Sequence, residues 1–354
     1  MTKRRGTCVS LFARYEQRER KSMQRKRARV IYNPTSGKEV IKRELPYILN
    51  RLEDAGYETS TYATKAIGDA TLEAVRAAEA DFDLIIAAGG DGTLNEVISG
   101  LAPLETRPTI GLIPVGTTND FARAMRIPLS VVGALDVICD GFEMPVDLGE
   151  IEGEKGDIHY FINIAGGGIM TELSYEVPSK LKTALGQLAY YVKGMEKLPL
   201  IKPTYIELEH DEGTFSGEVM IFLTSNSNSV GGFEKISPHA SLNDGLFDLF
   251  ILRKCNLFEF IHVVRLLLRG EHLSSPLVEH VKTSRVRMKT TEPMSLNIDG
   301  EYGGECTGEM RNLFRHLTVL APNARIREME DLNAQYEREQ MIKQLFTVSI
   351  EKAE

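Results

Sequence analysis

The sequence contains no tryptophan, only four cysteines, and no apolar run of membrane-spanning length. Cys8, Cys139, Cys255 and Cys306 are widely scattered, without a C-x-x-C pair or a nearby histidine at metal-ligand spacing, which argues against disulfides and zinc. Every apolar stretch falls short of the roughly 20 residues that a membrane-spanning helix needs. The basic N-terminus also lacks the apolar core of a signal peptide, so the sequence predicts a cytoplasmic protein.

Acidic residues dominate the chain outside its N-terminus. The net charge is −8, yet residues 1–29 hold eleven lysines or arginines against two glutamates, which leaves −17 for the remainder. An acidic body lacks the basic stripe of a nucleic-acid-binding domain, so no nucleic-acid partner is predicted. For the basic extension at residues 1–23 two interpretations stay open: it belongs to the fold, or residues 1–22 are an upstream addition outside the fold that precedes a natural beginning at Met23.

The first 130 residues repeat a pattern of apolar strand, polar turn and amphipathic helix three times. The predicted strands are Ala28–Tyr32, Leu84–Ala88 and Thr109–Ile113, and a further helix is predicted over Asp69–Ala80. Alternating strands and helices form a parallel sheet, and ligands bind at the carboxyl ends of its strands. All three polar turns follow their strands, so we expect them to line that edge.

The turn Gly89–Thr93 has the composition of a phosphate site. Its glycines leave backbone N–H groups uncovered at a helix N-terminus, where the helix dipole is positive. Asp91 can bind a metal or order water, and Thr93 can donate to a phosphoryl oxygen. In the first turn, Ser36 and Gly37 can present N–H groups, and Lys38 opens the next helix. Each turn alone is more typical of simple chain reversal or capping.

Short strands replace the strand–helix alternation after Asp147. They are predicted over His159–Ala165, Thr204–Leu208, Glu218–Ser225, Leu246–Leu252, Val286–Lys289 and Met294–Ile298. Helices are predicted over Lys180–Lys197, over Leu257–Arg269 and from Arg325 onward.

The predicted fold class is therefore α/β plus all-β. A Rossmann-like three-layer α/β domain spans residues 24–146, with a C-terminal segment near 323–350 packed on it. An antiparallel β-sandwich spans 147–322.

Seven segments taken in order resemble the diacylglycerol kinase catalytic domain family, and within it the soluble bacterial enzymes. They are Asn33–Lys38, Gly89–Thr93, Pro114–Asp120, Asn163–Gly168, Gly231–Gly232, Leu242–Asp248 and Asn297–Glu301. The resemblance covers roughly Arg27 to Pro322. The GGDGT motif alone is shared with NAD kinases, but the ordered set is specific.

The resemblance implies an enzyme that uses ATP and Mg²⁺ to phosphorylate diacylglycerol to phosphatidic acid at a membrane surface, with its nucleotide site in the cleft between the two domains. Glu301 matches the general base, while Asp91, Asp120 and Asp147 match acidic positions that organise active-site magnesium. Ser241, Asp244 and the carbonyl of Leu246 match a second, structural magnesium site. ATP contacts are implied for Asn33, Pro34, Thr35, Ser36, Gly37, Lys38, Thr64, Gly90, Asp91, Gly92, Thr93, Leu94, Asn95, Glu96 and Thr117.

Several alternatives stay open from the sequence. The motifs describe the phosphate site better than the acceptor pocket, so a sister lipid kinase acting on a sphingoid base or phosphatidylglycerol is the nearest rival. NAD kinase and a non-catalytic lipid or nucleotide sensor are more distant ones. The segment Lys180–Lys197, an amphipathic basic helix, either docks on anionic headgroups or packs on the β domain. Analogy also allows a homodimer.

Overall fold

The computed structural model describes residues 25–168, 203–228, 236–237 and 240–351, and the fifteen strands in these ranges form one continuous hydrogen-bonded sheet system. The basic extension at residues 1–23, the predicted helix Lys180–Lys197 and the Gly231–Gly232 pair lie outside the described residues. No helix in the described part combines the length and apolar character needed to span a bilayer.

The N-terminal part is a parallel sheet with strand order β2-β1-β3-β4. Its strands are β1 (Lys26–Tyr32), β2 (Tyr57–Ala63), β3 (Leu84–Gly89) and β4 (Thr109–Pro114). The helices of this part are α1 (Val40–Asp54), α2 (Asp69–Glu79), α3 (Asp91–Leu101), α4 (Asp120–Ala124) and α5 (Val131–Asp140). All three predicted strand–turn–helix units are confirmed, and α1 continues through Pro46.

The central strand β3 explains why this sheet forms. All six of its residues are buried, as expected for a parallel strand covered on both faces by helices. Ile41, Ile48 and Leu52 of α1 and Val97 and Ile98 of α3 pack into the same hydrophobic core. The helix α5 was not predicted; Ser130 caps its first turn by accepting a hydrogen bond from the Gly133 N–H.

The C-terminal part is an antiparallel, sandwich-like sheet assembly, as predicted. Its own core includes Phe161, Phe222 and Phe247. Its strands are β5 (Phe142–Glu152), β6 (Ile158–Phe161), β7 (Ile164–Gly168), β8 (Thr204–His210), β9 (Gly213–Ser225), β10 (Phe247–Arg253), β11 (Val278–Thr283), β12 (Arg285–Thr290), β13 (Ser295–Ile298), β14 (Glu301–Glu305) and β15 (Gly308–Ala321). In the described residues of this half of the chain the α-helices are α6 (Leu257–Arg269) and, after the last strand, α7 (Asn323–Glu351).

The long strands β5 and β15, which the sequence analysis missed, join the two parts. They pair antiparallel along most of their length, and β15 also pairs in parallel with β4 through Val319 and Ile110. The register of β15 shifts between Leu313 and Leu317. Leu317, Val319 and Leu320 therefore belong to the N-terminal core, while Met310 belongs to the C-terminal one.

Two other predicted elements differ in detail from the structure. The strand predicted over His159–Ala165 is divided into β6 and β7, because the backbone N–H groups at the break bind a carboxylate instead of a neighbouring strand. The helix predicted from Arg325 is present as α7, and it buries Met329 in the N-terminal core. Asn333 of α7 donates to Asn243 at 2.8 Å, so α7 also contacts the C-terminal part.

Candidate active site

The three polar turns meet at the carboxyl edge of the parallel sheet, where glycines allow their backbones to touch. A Cβ on Gly116 would lie 2.5 Å from the Gly90 Cα, so the third turn lies directly on the second. A Cβ on Gly37 would lie 2.5 Å from the Val115 carbonyl oxygen, and Gly37 has a φ of +58°. Side chains at these positions would separate the turns, so glycine is required for their contact.

Asn119 fastens the third turn to the second and was not predicted as a site residue. Its side chain accepts from the Gly116 N–H at 3.0 Å and donates to the Gly116 carbonyl at 2.9 Å. Its backbone N–H donates to the Asp91 carboxylate at 2.8 Å. The residue has a φ of 52°, a left-handed conformation that asparagine tolerates better than most residues. Its place immediately before a helix was the available signal.

Asp91 is a partly buried carboxylate of the second turn that lies near other carboxylates and accepts backbone hydrogen bonds. Burial, and then the charges of Asp120 and Asp299, raise the pKa of Asp91 to about 6, while the N–H groups of Asn119 and Asp120 oppose that shift. Carboxylates that repel one another in a buried site fit a divalent cation, which would relieve the repulsion. Among the described residues no group of three or more His, Cys, Asp or Glu side chains can hold a metal. A magnesium ion here would need phosphate oxygens and water to complete its shell.

The first turn is shaped by Asn33. Its side-chain oxygen accepts from the Thr35 N–H at 3.0 Å and from the Thr35 hydroxyl at 2.8 Å. Pro34 lies between them, and a short 3-10 turn over Ser36–Glu39, which includes Lys38, follows. Thr64 reaches the same edge from β2, where its N–H donates to the Tyr32 carbonyl at 2.9 Å.

Residues 90–96 are all implied as ATP contacts by the family resemblance, but they differ in burial and in the protein groups that they contact. Gly90 and Gly92 lie at the start of α3, but Thr93 packs on Gly89 and Leu94 is buried in the hydrophobic core. The Ala70 N–H donates to the Glu96 side chain at 3.1 Å. The Asn95 side chain donates to Asp299, as described below. In the third turn, Thr117 is exposed. Of the residues implied as ATP contacts here, Thr93, Leu94, Asn95 and Glu96 are therefore engaged within the protein, which leaves mainly the backbone of the turns for a ligand.

Asp299 links the polar turns to the C-terminal part, and the sequence analysis named it only as part of the segment Asn297–Glu301. Its carboxylate accepts from the N–H groups of Ile162, Asn163 and Ile164, each at 2.9 Å. It also accepts from the Asn95 side chain of α3 at 3.1 Å. Burial raises the pKa of Asp299, and the four donors oppose that effect.

Glu301 follows two residues later as the first residue of β14. It pairs with Ile298 across the β13–β14 hairpin, and its side chain is exposed. Gly300 makes the turn with a φ of 95°, and its N–H donates to the Asn297 side chain at 3.0 Å. The Asn95–Asp299 contact therefore attaches the hairpin that carries Glu301 to the helix that begins at Asp91.

Asp147 lies at the loop formed by residues 244–246 and not at the three polar turns. Its carboxylate accepts from the Gly245 N–H at 2.6 Å and the Arg315 N–H at 2.7 Å. Burial raises the pKa of Asp147 to about 6, with a smaller contribution from Asp244. The described contacts give it no direct link to Asp91 or Asp120.

The residues implied as a structural magnesium site are occupied by protein contacts. The two Asp244 oxygens accept from the Lys282 ammonium at 2.9 Å and the Leu246 N–H at 3.1 Å. The Ser241 hydroxyl lies 3.1 Å from the Asn243 side-chain oxygen. Because the lysine already supplies a positive charge, this arrangement does not fit a magnesium ion unless Lys282 moves away, and the metal site stays a prediction.

Comparisons with known proteins agree with this arrangement. Residues 27–151 match the family model described as the diacylglycerol kinase catalytic domain, and residues 172–321 match the YegS C-terminal NAD kinase beta sandwich-like domain. A diacylglycerol kinase from Bacillus subtilis (strain 168) is 57% identical over 307 residues, which cover 86% of this chain and 100% of the relative.

Two further relatives extend the comparison. A diacylglycerol kinase from Staphylococcus aureus (strain JH9) is 51% identical over 304 residues, covering 86% of this chain and 95% of the relative. A solved structure from Bacillus anthracis str. Sterne superposes with a TM-score of 0.73 at 27% identity, covering 85% of this chain and 99% of that one.

Proposed function

The chain belongs to the diacylglycerol kinase family, and on that premise we propose that it transfers the γ-phosphoryl group of ATP to the free hydroxyl of diacylglycerol, at the cytoplasmic surface of a membrane. The product is phosphatidic acid. We further propose that Glu301 is the general base. Lipid kinase activity itself follows from the relatives, while the nucleotide, the base and the membrane surface are the finer parts of the proposal.

The contact between Asp299 and Asn95 is the observation that carries the proposal. It connects the helix after the phosphate turn to the hairpin of Glu301, although the two residues are 204 positions apart in the chain. A kinase needs its phosphate donor and its base on opposite sides of one acceptor hydroxyl. A fixed connection between the two parts supports that geometry.

The proposed reaction follows from the side chains available. A lipid hydroxyl is a poor nucleophile at neutral pH, so the Glu301 carboxylate accepts its proton as the oxygen attacks the γ-phosphorus. The bond between that phosphorus and the bridging oxygen of ADP breaks, and ADP leaves with the electron pair. The N–H groups of the three turns bind and orient the phosphates, because phosphoryl transfer depends mainly on positioning and charge stabilisation.

Magnesium is proposed at the Asp91 and Asp120 carboxylates. When bound, it would neutralise charge on the phosphate oxygens. Asn119 holds Asp91 through its backbone N–H at 2.8 Å, which fixes one carboxylate oxygen before any ligand arrives.

A phosphorylation assay with labelled ATP tests the acceptor. The purified chain is offered diacylglycerol in mixed micelles, and in parallel a sphingoid base, phosphatidylglycerol and NAD. We expect label in phosphatidic acid, and only with magnesium present. Faster labelling of another acceptor would reassign the substrate, and labelling of none would refute the kinase proposal.

Substitution of the proposed base tests the mechanism. Glu301→Gln keeps the size of the side chain but cannot accept a proton, so turnover should fall by about 10²-fold or more. ATP binding measured by calorimetry should stay near that of the wild type. Glu305→Gln, an exposed position on the same β14 strand, is the matched control and should retain turnover. Unchanged turnover in Glu301→Gln would exclude this residue as the base.

A further inference from the structure

The helix α6 presents a large exposed apolar surface that the site described above does not use. Among its thirteen residues only Val263 is fully buried. Phe258 is 84% exposed, and Leu257, Ile261 and Leu268 are between 43% and 51% exposed. Isolated exposed apolar side chains are ordinary on a protein surface, but four on one short helix form a patch that indicates a binding surface.

The exposed residues of α6 are confined to one side of the helix. With about 100° of rotation per residue, Leu257, Phe258, Ile261, His262, Arg265, Leu268 and Arg269 lie within a sector of about 140°. All seven are exposed, and we call them the apolar–basic face. The only other exposed residue of the helix is Glu259, which lies about 100° from Phe258, outside this sector.

Charge distinguishes this face from the rest of the chain. It carries two arginines and no carboxylate, although the whole protein has a net charge of −8. The one acidic residue of α6, Glu259, is engaged at the helix start, where it accepts from the Asn256 N–H at 2.8 Å within a capping box. A second copy of the chain packed symmetrically on this face would bury these arginines against a surface that has no carboxylate to pair with them, which opposes self-association. An anionic surface matches the face.

The helix is also stable in its position without a partner. The capping box secures its start, and Gly270 ends it in a left-handed conformation with a φ of 77°. Its inner side packs through Val263 on Met220 of β9 and Leu252 of β10. The exposed apolar residues are therefore presented by a regular helix that is capped at both ends, and not by a loop.

We propose that the apolar–basic face of α6 docks the protein on an anionic lipid bilayer, a proposal that rests on the lipid acceptor proposed above. At thirteen residues the helix is about 20 Å long and lies in the plane of the interface. Phe258, Ile261 and Leu268 enter the acyl boundary while Arg265 and Arg269 contact lipid phosphates.

Paired strands connect α6 to the hairpin that carries Glu301. β10, which precedes it, pairs with β9 over the same residues, 221–225, that pair with β7. β7 in turn pairs with β13 of the Glu301 hairpin. The path from β10 to β14 crosses four strand spacings, about 20 Å. Docking would therefore hold the proposed base at a fixed place relative to the bilayer that contains its substrate.

Co-sedimentation with vesicles tests whether the exposed apolar residues of α6 contribute to membrane binding. Phe258→Ser/Ile261→Ser should lower binding to phosphatidylcholine–phosphatidylglycerol vesicles by about tenfold or more. Leu72→Ser, a 70% exposed leucine on α2, is the matched control and should bind as the wild type does. Thermal unfolding should show the same midpoint for all three proteins, because the substituted side chains are exposed. Unchanged vesicle binding by the double variant would overturn the proposal.

Substitution of the two arginines tests whether their positive charge makes the binding specific for anionic lipid. Arg265→Gln/Arg269→Gln should lower binding to phosphatidylglycerol vesicles by more than tenfold and leave the weaker binding to pure phosphatidylcholine vesicles unchanged. Arg43→Gln, at an exposed position on α1, is the control. An equal loss on both vesicle types would overturn the anionic specificity.

Two further measurements separate this proposal from its rivals. With a short-chain diacylglycerol dissolved as monomers, both double variants should keep wild-type turnover, because α6 does not contact the reacting groups. A wild type that binds vesicles but phosphorylates no diacylglycerol would refute the proposed function and leave docking supported. Variants that convert a dimer to a monomer without losing vesicle binding would assign the face to a second copy and overturn docking.

Discussion

Asp299→Asn should destabilise the protein strongly, although it changes one atom. Each Asp299 oxygen accepts two hydrogen bonds: Oδ1 from the N–H groups of Asn163 and Ile164, Oδ2 from the Ile162 N–H and the Asn95 amide. In asparagine one oxygen becomes an NH₂ group that faces two donors, so two bonds are lost. At about 1.5–3 kcal/mol for each bond to a charged group, less the relief of burying that charge, the expected loss is about 2–4 kcal/mol.

Urea unfolding followed by circular dichroism measures that loss as a change in the free energy of unfolding. Glu305→Gln is the control, because Glu305 is 64% exposed and lies 3.9 Å from Lys155, so its removal should cost less than about 0.5 kcal/mol. Turnover of the Asp299 variant should also fall, because the Glu301 hairpin loses its connection to α3. A variant as stable and as active as the wild type would refute the role given to Asp299.

Three further outcomes are expected. Gly116→Ala should lose about 1–3 kcal/mol of stability and bind ATP weakly, because its Cβ would meet the Gly90 backbone, whereas Gly92→Ala, with open space, should be neutral or stabilising; equal unfolding midpoints would contradict this. The pKa of Asp147 is raised from 3.8 to about 6, so the folded state keeps this proton up to a higher pH than the unfolded state does. The contribution of this group to stability is therefore lost as the pH rises. Between pH 4 and pH 7 the wild type should therefore lose about 2 kcal/mol more free energy of unfolding than Asp147→Asn, because asparagine has no such proton to release. Urea unfolding of both proteins at the two pH values measures this difference. Lys282→Met should cost about 3–5 kcal/mol in EDTA, because the buried Asp244 carboxylate loses its partner at 2.9 Å, and recovery by millimolar magnesium would support a metal site there; no loss would contradict the pairing.

Local patterns were sufficient to predict the parallel sheet. The run Leu84–Ala88 is apolar throughout and is followed by glycines and a helical face, so strand, turn and helix are each encoded within a few residues. The strand β15 could not be predicted in this way. Its central residues Asn312–His316 are mostly polar or exposed, and its partners lie far away in the chain.

The candidate site shows the same division. The glycine and asparagine turns were found because their chemistry is contiguous in sequence. Asp299 was missed as a functional residue, because an Asp-Gly turn has the same sequence whether or not its carboxylate binds distant groups. Its partner Asn163 is 136 positions away. Lys282, the partner of Asp244, likewise lies 38 positions further along the chain, on β11, and had no local signal.

The course of β15 determines the order in which the chain can complete its fold. Val319 supplies the hydrogen-bonding partner for β4, and Leu317, Leu320 and Met329 fill part of the N-terminal core. A nascent chain or a fragment that ends before residue 308 would leave β4 as an open sheet edge beside an unfilled core, a surface prone to association. The N-terminal part of the protein therefore depends for its completion on β15, a strand that is synthesised long after β4.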